Sequence, residues 1–326
     1  MRMFVTGGTG FTGAALVSRL LDDGHSVSVL DNKPGLILDE LKGRGSEVII
    51  GSVTDQSSVA AGVAGADVVM HLAAAFRETG APDSLYEAVN VAGTKIVVEE
   101  SVKAGVKKFV YCSTQGVHGH IEYPPGDEES PIAPADYYQQ TKYEGELEVR
   151  THAESMEYTI LRPTAIYGPG DPERFWMIYK RANKGRFLMF GGGGTFYHPV
   201  YIDNLVDAFL LAMQPGVGKG EAYIIADEQY YPIKELVARV GKALDKKVSI
   251  PNFPIVPLIV VGHICEKVCK PFGINPPIFP RRVDWFRQVR AFKIDKARRD
   301  LGYSPKIGID EGLRRTGEWY KEKGYL

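Results

Sequence analysis

Tyr138 and Lys142 stand four residues apart in Tyr138-Gln139-Gln140-Thr141-Lys142, a spacing that puts both on one face of a helix. A tyrosine with an ordinary pKa of about 10 is a poor base at neutral pH. A neighbouring ammonium stabilises the phenolate, lowers that value and opens general acid/base chemistry. Asp136 and Gln139 have the spacing of a capping box at the start of this helix. A Tyr-x-x-x-Lys pair is common by chance, so its meaning depends on what else the chain binds.

A second chemical signal is Thr6-Gly7-Gly8-Thr9-Gly10-Phe11-Thr12-Gly13. Gly8, Gly10 and Gly13 satisfy G-x-G-x-x-G, while Gly7, Gly10 and Gly13 give G-x-x-G-x-x-G. Such glycines permit a tight turn, let backbone approach a pyrophosphate and let the following helix pack close to a sheet. The helix N-terminus then offers unpaired N–H groups and the positive end of its dipole to phosphate. Asp31 lies at the end of the next strand candidate, where a carboxylate accepts hydrogen bonds from ribose hydroxyls and repels a 2′-phosphate. This favours NAD over NADP, with Lys33 two residues on softening the preference.

The elements that must position these groups are legible as an alternation of short apolar runs and longer amphipathic ones. Strands are expected at Met3–Thr6, Ser26–Leu30, Glu47–Ile50, Asp67–Leu72, Lys108–Ser113 and Tyr158–Arg162. Helices are expected near Thr12–Asp23, Ser57–Ala64, Ser84–Ala104 and Tyr137–Ala153. Repeated strand–helix–strand units predict an α/β fold, a Rossmann doubly wound parallel sheet covered on both faces. Beyond Ile166 prolines and glycines punctuate shorter elements, which predicts a second, smaller C-terminal substrate lobe. The expected division is 1–165 for the NAD-binding domain, with about 200–228 returning to it through a strand near Glu221–Ala226. Residues 166–199 and 229–326 then form the substrate lobe.

Composition excludes several classes. With 44% hydrophobic and 24% charged residues the chain reads as soluble and globular, and a net charge of -1 offers no footprint for nucleic acid. Three cysteines (Cys112, Cys265, Cys269) cannot build a disulfide framework, so a reducing cytoplasm fits. Cys265 and Cys269, with His263 nearby, read as small packed hydrophobes and not as a metal site. The first residues hold no cationic segment leading into an apolar core, and Phe253–Cys265 is too short to span a bilayer. That stretch is nonetheless apolar enough to touch a membrane surface or line an apolar pocket.

Together these residues make the chain resemble the extended short-chain dehydrogenases/reductases, also called the NAD-dependent epimerase/dehydratase family. The resemblance runs from the glycine turn through His71-Leu72-Ala73-Ala74, Asn90-Val91-Ala92-Gly93-Thr94, Val110-Tyr111-Cys112-Ser113-Thr114 and Leu161 to Pro169. It extends to Phe292–Tyr303. It implies that Tyr138 is the acid/base, that Lys142 holds the nicotinamide ribose and tunes Tyr138, and that a Ser or Thr binds the reacting oxygen. The Val117-His118-Gly119 turn selects Thr114 for that role, with Ser113 as the neighbouring alternative. Implied NAD contacts are Gly7, Gly10, Phe11, Thr12, Gly13, Asp31, Asn32, Ser52, Val53, Leu72, Ala73, Ala74, Asn90, Pro163, Ala165 and Ile166, besides Tyr138 and Lys142. Ser52 departs from the frequent Asp near the adenine, and His118 replaces a frequent Tyr. His118 is either an extra proton donor or a packed side chain.

Subfamilies differ at the substrate. Sugar-nucleotide members commonly carry Asn where this chain has Ala165 and an Arg within the segment matching 194–204, and neither is present. A buried diphosphate without such donors is poorly compensated. The His198–Asn204 stretch, Pro163 and the Gly168–Pro172 turn instead resemble 3β-hydroxysteroid dehydrogenase-like members, and the apolar 254–279 region suits an apolar substrate. Arg281, Arg282, Arg287 and Arg290 point the other way if they bind phosphate, or to nothing if they form a solvated face. The expectation is hydride transfer at a secondary alcohol or ketone of a moderately apolar hydroxy compound. A sugar-nucleotide epimerase or dehydratase is the alternative, and a non-catalytic dinucleotide sensor a remote one. The resemblance also implies a homodimer through a four-helix bundle of Ser84–Ala104 and Tyr137–Ala153 from each subunit.

Overall fold

A computed structural model of the chain describes residues 1–326 apart from 36, 77–80, 172–174 and 270–282. Six strands and six helices alternate through the first half. They are β1 (Arg2–Thr6), α1 (Phe11–Asp22), β2 (Ser26–Asp31), α2 (Leu38–Gly43), β3 (Glu47–Ile50), α3 (Gln56–Val63) and β4 (Val68–His71). Then come α4 (Asp83–Tyr86), α5 (Gly93–Lys103), β5 (Lys108–Cys112), α6 (Tyr137–Arg150) and β6 (Glu157–Pro163). A seventh strand, Ala222–Ile225, completes a sheet whose order is this strand, then β6, β5, β4, β1, β2 and β3. Every pairing in it is parallel.

The strands are short apolar runs because both faces of the sheet are covered. Leu16, Val17 and Leu20 of α1, with Leu205 and Phe209 of the helix Ile202–Ala212, bury one face. Val59 and Val63 of α3, Val97 and Val98 of α5 and Val149 of α6 bury the other. Ile294, Ala297, Leu301 and Tyr303 from near the C-terminus also pack into the first of these cores. A separate cluster, including Tyr167, Phe175, Tyr179, Tyr197, Tyr231, Leu313 and Tyr320, forms the core of a second lobe.

Register fixes where the chemistry must sit. Thr6 is level with Leu30 on one side and His71 on the other, and His71 is level with Tyr111. The carboxyl ends of β2, β1, β4, β5 and β6 therefore open along one edge. The winding reverses between β1 and β4, the switch point where open α/β sheets leave a crevice. Among the described residues no helix is long and apolar enough to cross a membrane.

The expected single helix over Ser84–Ala104 differs in detail. Asp83–Tyr86 runs through a π-helical turn, Glu87–Ala92, into α5. Asn90, inside that turn, turns its side chain away from the helix to bond Ala75 and Thr141, and such local widening often marks functional positions.

Candidate active site

The glycine turn joins β1 to α1 and each glycine in it has its own reason. Gly7 has φ +70, and a Cβ there would lie 2.8 Å from the Ala73 backbone nitrogen. At Gly13 a Cβ would lie 2.0 Å from the Gly7 carbonyl oxygen, so only glycine lets α1 pack onto the turn. Gly10 differs: its φ is −71, it is exposed, and a Cβ would meet only the Gly7 oxygen at 3.4 Å. Nothing in the protein demands glycine at this position. A glycine here leaves the N-terminus of α1 open to the close approach of a ligand. Phe11 and Thr12 follow in the first turn of α1, both half-buried.

Asp31 closes the adjacent strand end. Its Oδ2 accepts from the Thr9 N–H (3.0 Å) and its Oδ1 from the Lys33 N–H (3.4 Å), while the Thr9 hydroxyl donates to the Lys33 carbonyl (2.9 Å). The carboxylate is thereby fixed beside the glycine turn, with Asn32 exposed next to it. Ser52 bonds Thr54 locally (2.8 Å) and Val53 is buried against Gly93, where a Cβ would meet it at 2.7 Å.

A buried relay braces the next turn, Leu72–Ala75. The Ala73 N–H donates to Thr6 Oγ1 (3.2 Å), the Thr6 hydroxyl reaches His71 Nδ1 (2.6 Å), and His71 Nε2 faces Thr94 Oγ1 (2.9 Å). The Thr94 hydroxyl donates in turn to the Asn90 carbonyl (2.7 Å). Only one proton arrangement satisfies the chain: Thr6 donates to Nδ1, and Nε2–H donates to Thr94. His71 is therefore neutral, and burial, aided by the charge of Lys142, holds its pKa well below the ordinary range. Asn90 is fully buried. Its Oδ1 accepts from the Ala75 N–H (2.8 Å) and its Nδ2 donates to Thr141 Oγ1 (3.0 Å), so it acts through the turn it holds. Leu72, Ala73 and Ala74 are half-buried along the opening.

Helix α6 carries Tyr138 and Lys142. Asp136 caps it by accepting from the Gln139 N–H (2.9 Å), and Gln139 Oε1 reaches back to the Ala135 N–H (2.8 Å). Tyr138 is half-buried, with its ring edge-on to Phe76 at 4.8 Å. Lys142 is buried. Its Nζ lies 4.2 Å from the Tyr111 ring centre and finds no hydrogen-bond partner among the described residues. Burial pulls its pKa down to about 8, with Cys112 and Glu146 pulling upward. An unsatisfied buried ammonium costs free energy unless a ligand supplies acceptors. The open glycine cradle, the fixed Asp31 carboxylate and this orphaned ammonium fit a dinucleotide with a hydroxyl-bearing ribose.

The two candidate hydroxyls at the end of β5 have different settings. Ser113 is buried and donates to Glu146 Oε1. Thr114 is half-buried, in extended conformation, and accepts from the Gly116 N–H (3.0 Å), which leaves its own proton to offer. Glu146 also holds Arg162 in a fork, Nε to Oε1 at 2.9 Å and Nη2 to Oε2 at 2.7 Å. Arg162 Nη1 donates to His118 Nε2 (3.1 Å), and His118 Nδ1–H donates to the Ser130 carbonyl (2.8 Å). His118 is thus a packed, neutral acceptor with no proton directed at the site. Burial and Arg162 lower its pKa. The Glu146–Arg162 pair and the His71 relay were not anticipated as parts of the site, although every residue involved lies in or beside a recognised segment.

Pro163 and Ala165 are buried and Ile166 half-buried at the end of β6 and just past it. The Ala165 N–H donates to the His198 carbonyl (3.1 Å), so this position offers a ligand no side-chain donor. His198 and Asn204 are structural hubs. His198 Nε2 donates to the Asp227 carbonyl (2.9 Å), and Asn204 bonds Asp227 Oδ1 and the 306–307 backbone. Arg287 is exposed and pairs with Asp284 (3.4 Å), and Arg290 Nη2 donates to Gln288. Arg281 and Arg282 lie outside the described residues. Cys265 and Cys269 are half-buried with sulfurs 3.9 Å apart, and no metal-binding cluster of His, Cys, Asp or Glu stands among the described residues.

Comparison with known proteins agrees with this geometry. A model of the NAD dependent epimerase/dehydratase family matches residues 3–226. The chain is 33% identical to a 2-alkyl-3-oxoalkanoate reductase of Stenotrophomonas maltophilia, over 97% of this chain and 98% of that one. It is 32% identical to a 3 beta-hydroxysteroid dehydrogenase/Delta 5-->4-isomerase of Mycobacterium tuberculosis, over 98% and 90%. Among solved structures, the dTDP-glucose 4,6-dehydratase DesIV of Streptomyces venezuelae, with NAD bound, superposes with a TM-score of 0.80 at 25% identity. All of this chain and 99% of that one are covered.

Proposed function

We propose that this chain, which belongs to the NAD-dependent epimerase/dehydratase family and is an extended short-chain dehydrogenase/reductase, acts at a secondary alcohol or ketone of a moderately apolar hydroxy compound. NAD, when bound, supplies the hydride acceptor or, reduced, the donor. In this reading Gly7, Gly10 and Gly13 admit the pyrophosphate and Asp31 takes the adenosine ribose. Thr114 donates to the substrate oxygen and so orients it. The Tyr138 phenol oxygen takes the hydroxyl proton in oxidation and returns it in reduction. Lys142 holds that phenolate electrostatically and bonds the nicotinamide ribose, which satisfies its buried ammonium.

The observation that carries the substrate class is Ala165, buried and without a side-chain donor, in a chain whose 194–204 segment has no arginine. The relatives at 32% and 33% identity are named for a hydroxysteroid and a 2-alkyl-3-oxoalkanoate, each a ketone or secondary alcohol on an apolar skeleton. A sugar-nucleotide substrate remains the second reading because the DesIV structure aligns along the whole chain.

Two measurements test this. Tyr138→Phe is expected to abolish turnover on an accepted alcohol while NAD still raises thermal stability. Turnover equal to wild type would remove Tyr138 from the chemistry. Thermal stability with saturating NAD is then followed on adding UDP, dTDP or GDP, and separately steroid and isoprenoid alcohols, since a ligand of the native state stabilises it by RT ln(1 + [L]/Kd). A further rise with one nucleotide establishes the sugar-nucleotide reading. A rise only with the alcohols supports ours.

We further read the protein as a cytoplasmic homodimer that pairs α5 and α6 of each subunit in a four-helix bundle. Leu147 on α6 is 44% exposed, as a residue awaiting a partner would be. A monomer by sedimentation at micromolar concentration would exclude that assembly.

A further inference from the structure

From Ile255 to Gly262 the helix Ile255–Cys269 carries no polar side chain on any face, a pattern that belongs to helices with a non-aqueous environment on every side. Among the described residues one side of it is packed. Gly262 is buried, and Leu258, Ile259, Cys265 and Cys269 are half-buried. The opposite face is open: Val256 is 65% exposed, Val260 51%, Ile264 56% and Val268 57%. These four are spaced by four residues and form a continuous ridge, with Pro257 and Val261 in the row beside it. Among side chains described on the exposed part of this helix the polar ones are His263 and Lys267, and neither is acidic.

The surrounding sequence has the matching charge. From 255 to 282 it carries Lys267, Lys270, Arg281 and Arg282 against one acidic residue, Glu266, in a chain whose net charge is -1. An apolar ridge bearing Lys267, in a stretch of basic sequence, suits a surface that is apolar inside and anionic at its rim. A helix of this length spans roughly 22 Å, too short for a hydrocarbon core of about 30 Å, so it lies in the interface plane and does not cross. The ridge is also continuous with the second lobe. Phe253, just before the helix, contacts the Phe190 ring at 5.8 Å, Phe190 meets Phe286 at 5.4 Å, and Phe286 meets Trp285 at 4.9 Å.

We propose that the Val256–Val268 ridge docks the enzyme on an anionic lipid surface, with the aromatic side chains behind it leading apolar substrate from lipid toward the second lobe. The delivery role rests on the apolar-substrate reading. The docking does not.

The test is flotation of the full chain, loaded with NAD, with vesicles of phosphatidylcholine alone or containing phosphatidylglycerol. Binding is expected to the anionic vesicles, to weaken with salt, and to fall at least about tenfold in Val260→Asp/Ile264→Asp, whose NAD-dependent thermal shift stays as in wild type. Lys267→Glu is expected to lose about fivefold or more on anionic vesicles only. Binding unchanged in the double variant overturns the proposal. So does an absence of vesicle binding, whether wild type self-associates through this face (a larger species by sedimentation that the double variant splits) or stays the same size because its own chain covers the ridge. Vesicle binding by a protein that responds to a nucleotide overturns the apolar substrate alone. Turnover of an apolar alcohol without vesicle binding overturns the docking alone.

Discussion

Replacing Glu146 by Ala tests whether the ion pair behind the site behaves as a buried pair. The Glu146 side chain is 0% and that of Arg162 5% exposed, and Ser113 and His118 bond to the fork from either side. Deleting one partner strands the Arg162 guanidinium in the interior, which costs about 3–5 kcal/mol. With an unfolding entropy of roughly 2.1 cal/mol/K per residue, 326 residues convert this to a fall in Tm of about 4–7 °C. Glu146→Leu/Arg162→Met removes both charges, and its cost is expected well below the sum of the single changes, within about 2 kcal/mol of wild type. Tm should be followed by far-ultraviolet circular dichroism and by tryptophan fluorescence. All three tryptophans, Trp176, Trp285 and Trp319, sit in the second lobe packing while the pair sits behind the main sheet, so coincident curves establish one cooperative unit. Glu146 also supports the ammonium of Lys142 against burial, so the single variant should titrate that lysine below about 8. A Tm loss under about 1.5 °C for Glu146→Ala, or strict additivity in the double variant, would refute a dry, coupled pair.

The glycine turn separates two kinds of requirement. Gly13→Ala, whose Cβ would sit 2.0 Å from a carbonyl oxygen, should lower Tm with or without NAD. Gly10→Ala, with no closer protein contact than 3.4 Å, should keep the ligand-free Tm within about 1 °C but lose most of the NAD-induced rise. An NAD response unchanged in Gly10→Ala would show that the cradle does not face phosphate. For pH, His198 has its pKa held at about 4 by burial against 6.5 unfolded, so its contribution is present above pH 6.5 and is lost as pH falls to about 4. Asp227, pushed up to about 7 by burial, runs oppositely: its contribution is full below pH 3.8 and is lost as pH rises to about 7. Relative to wild type, His198→Gln should therefore gain stability on acidification from pH 6.5 to 4, by an amount on the order of 3 kcal/mol. A difference constant across that window removes the neutral buried imidazole from the account.

The sheet was legible because its strands are short apolar runs, covered on both faces except at the β3 edge, and Glu47–Ile50 and the strand near 222–225 stand where the sequence places them. Helix α2, Leu38–Gly43, went unanticipated: in six residues with Asp39, Glu40 and Lys42, one buried side chain, Leu41, sets no period. The helix over 84–104 reads as continuous from its apolar spacing. The π turn inside it is imposed from outside, by Asn90 reaching Ala75 and Thr141 and by Gly93 yielding to Val53. Such tertiary demands leave no periodic trace.

The two halves of the site differ in legibility for one physical reason. A dinucleotide is gripped largely by backbone, at one turn and a few strand ends, so its signature is local: glycines at fixed offsets, then a carboxylate one strand later. The groups that hold those residues in place come from further away. Thr6, His71 and Thr94 form one hydrogen-bonded relay across 88 positions of sequence, and Ser113, Glu146, Arg162 and His118 another, so neither relay is a motif. The second lobe is more dispersed still, bringing Phe190, Tyr197, Phe253 and Phe286 together from segments up to 96 positions apart. A substrate recognised by such a surface is written in shape and polarity, and the informative residue is one that withholds a donor. Ala165 does so just past the end of β6, where a diphosphate would require one, and the nucleotide series measures that absence directly.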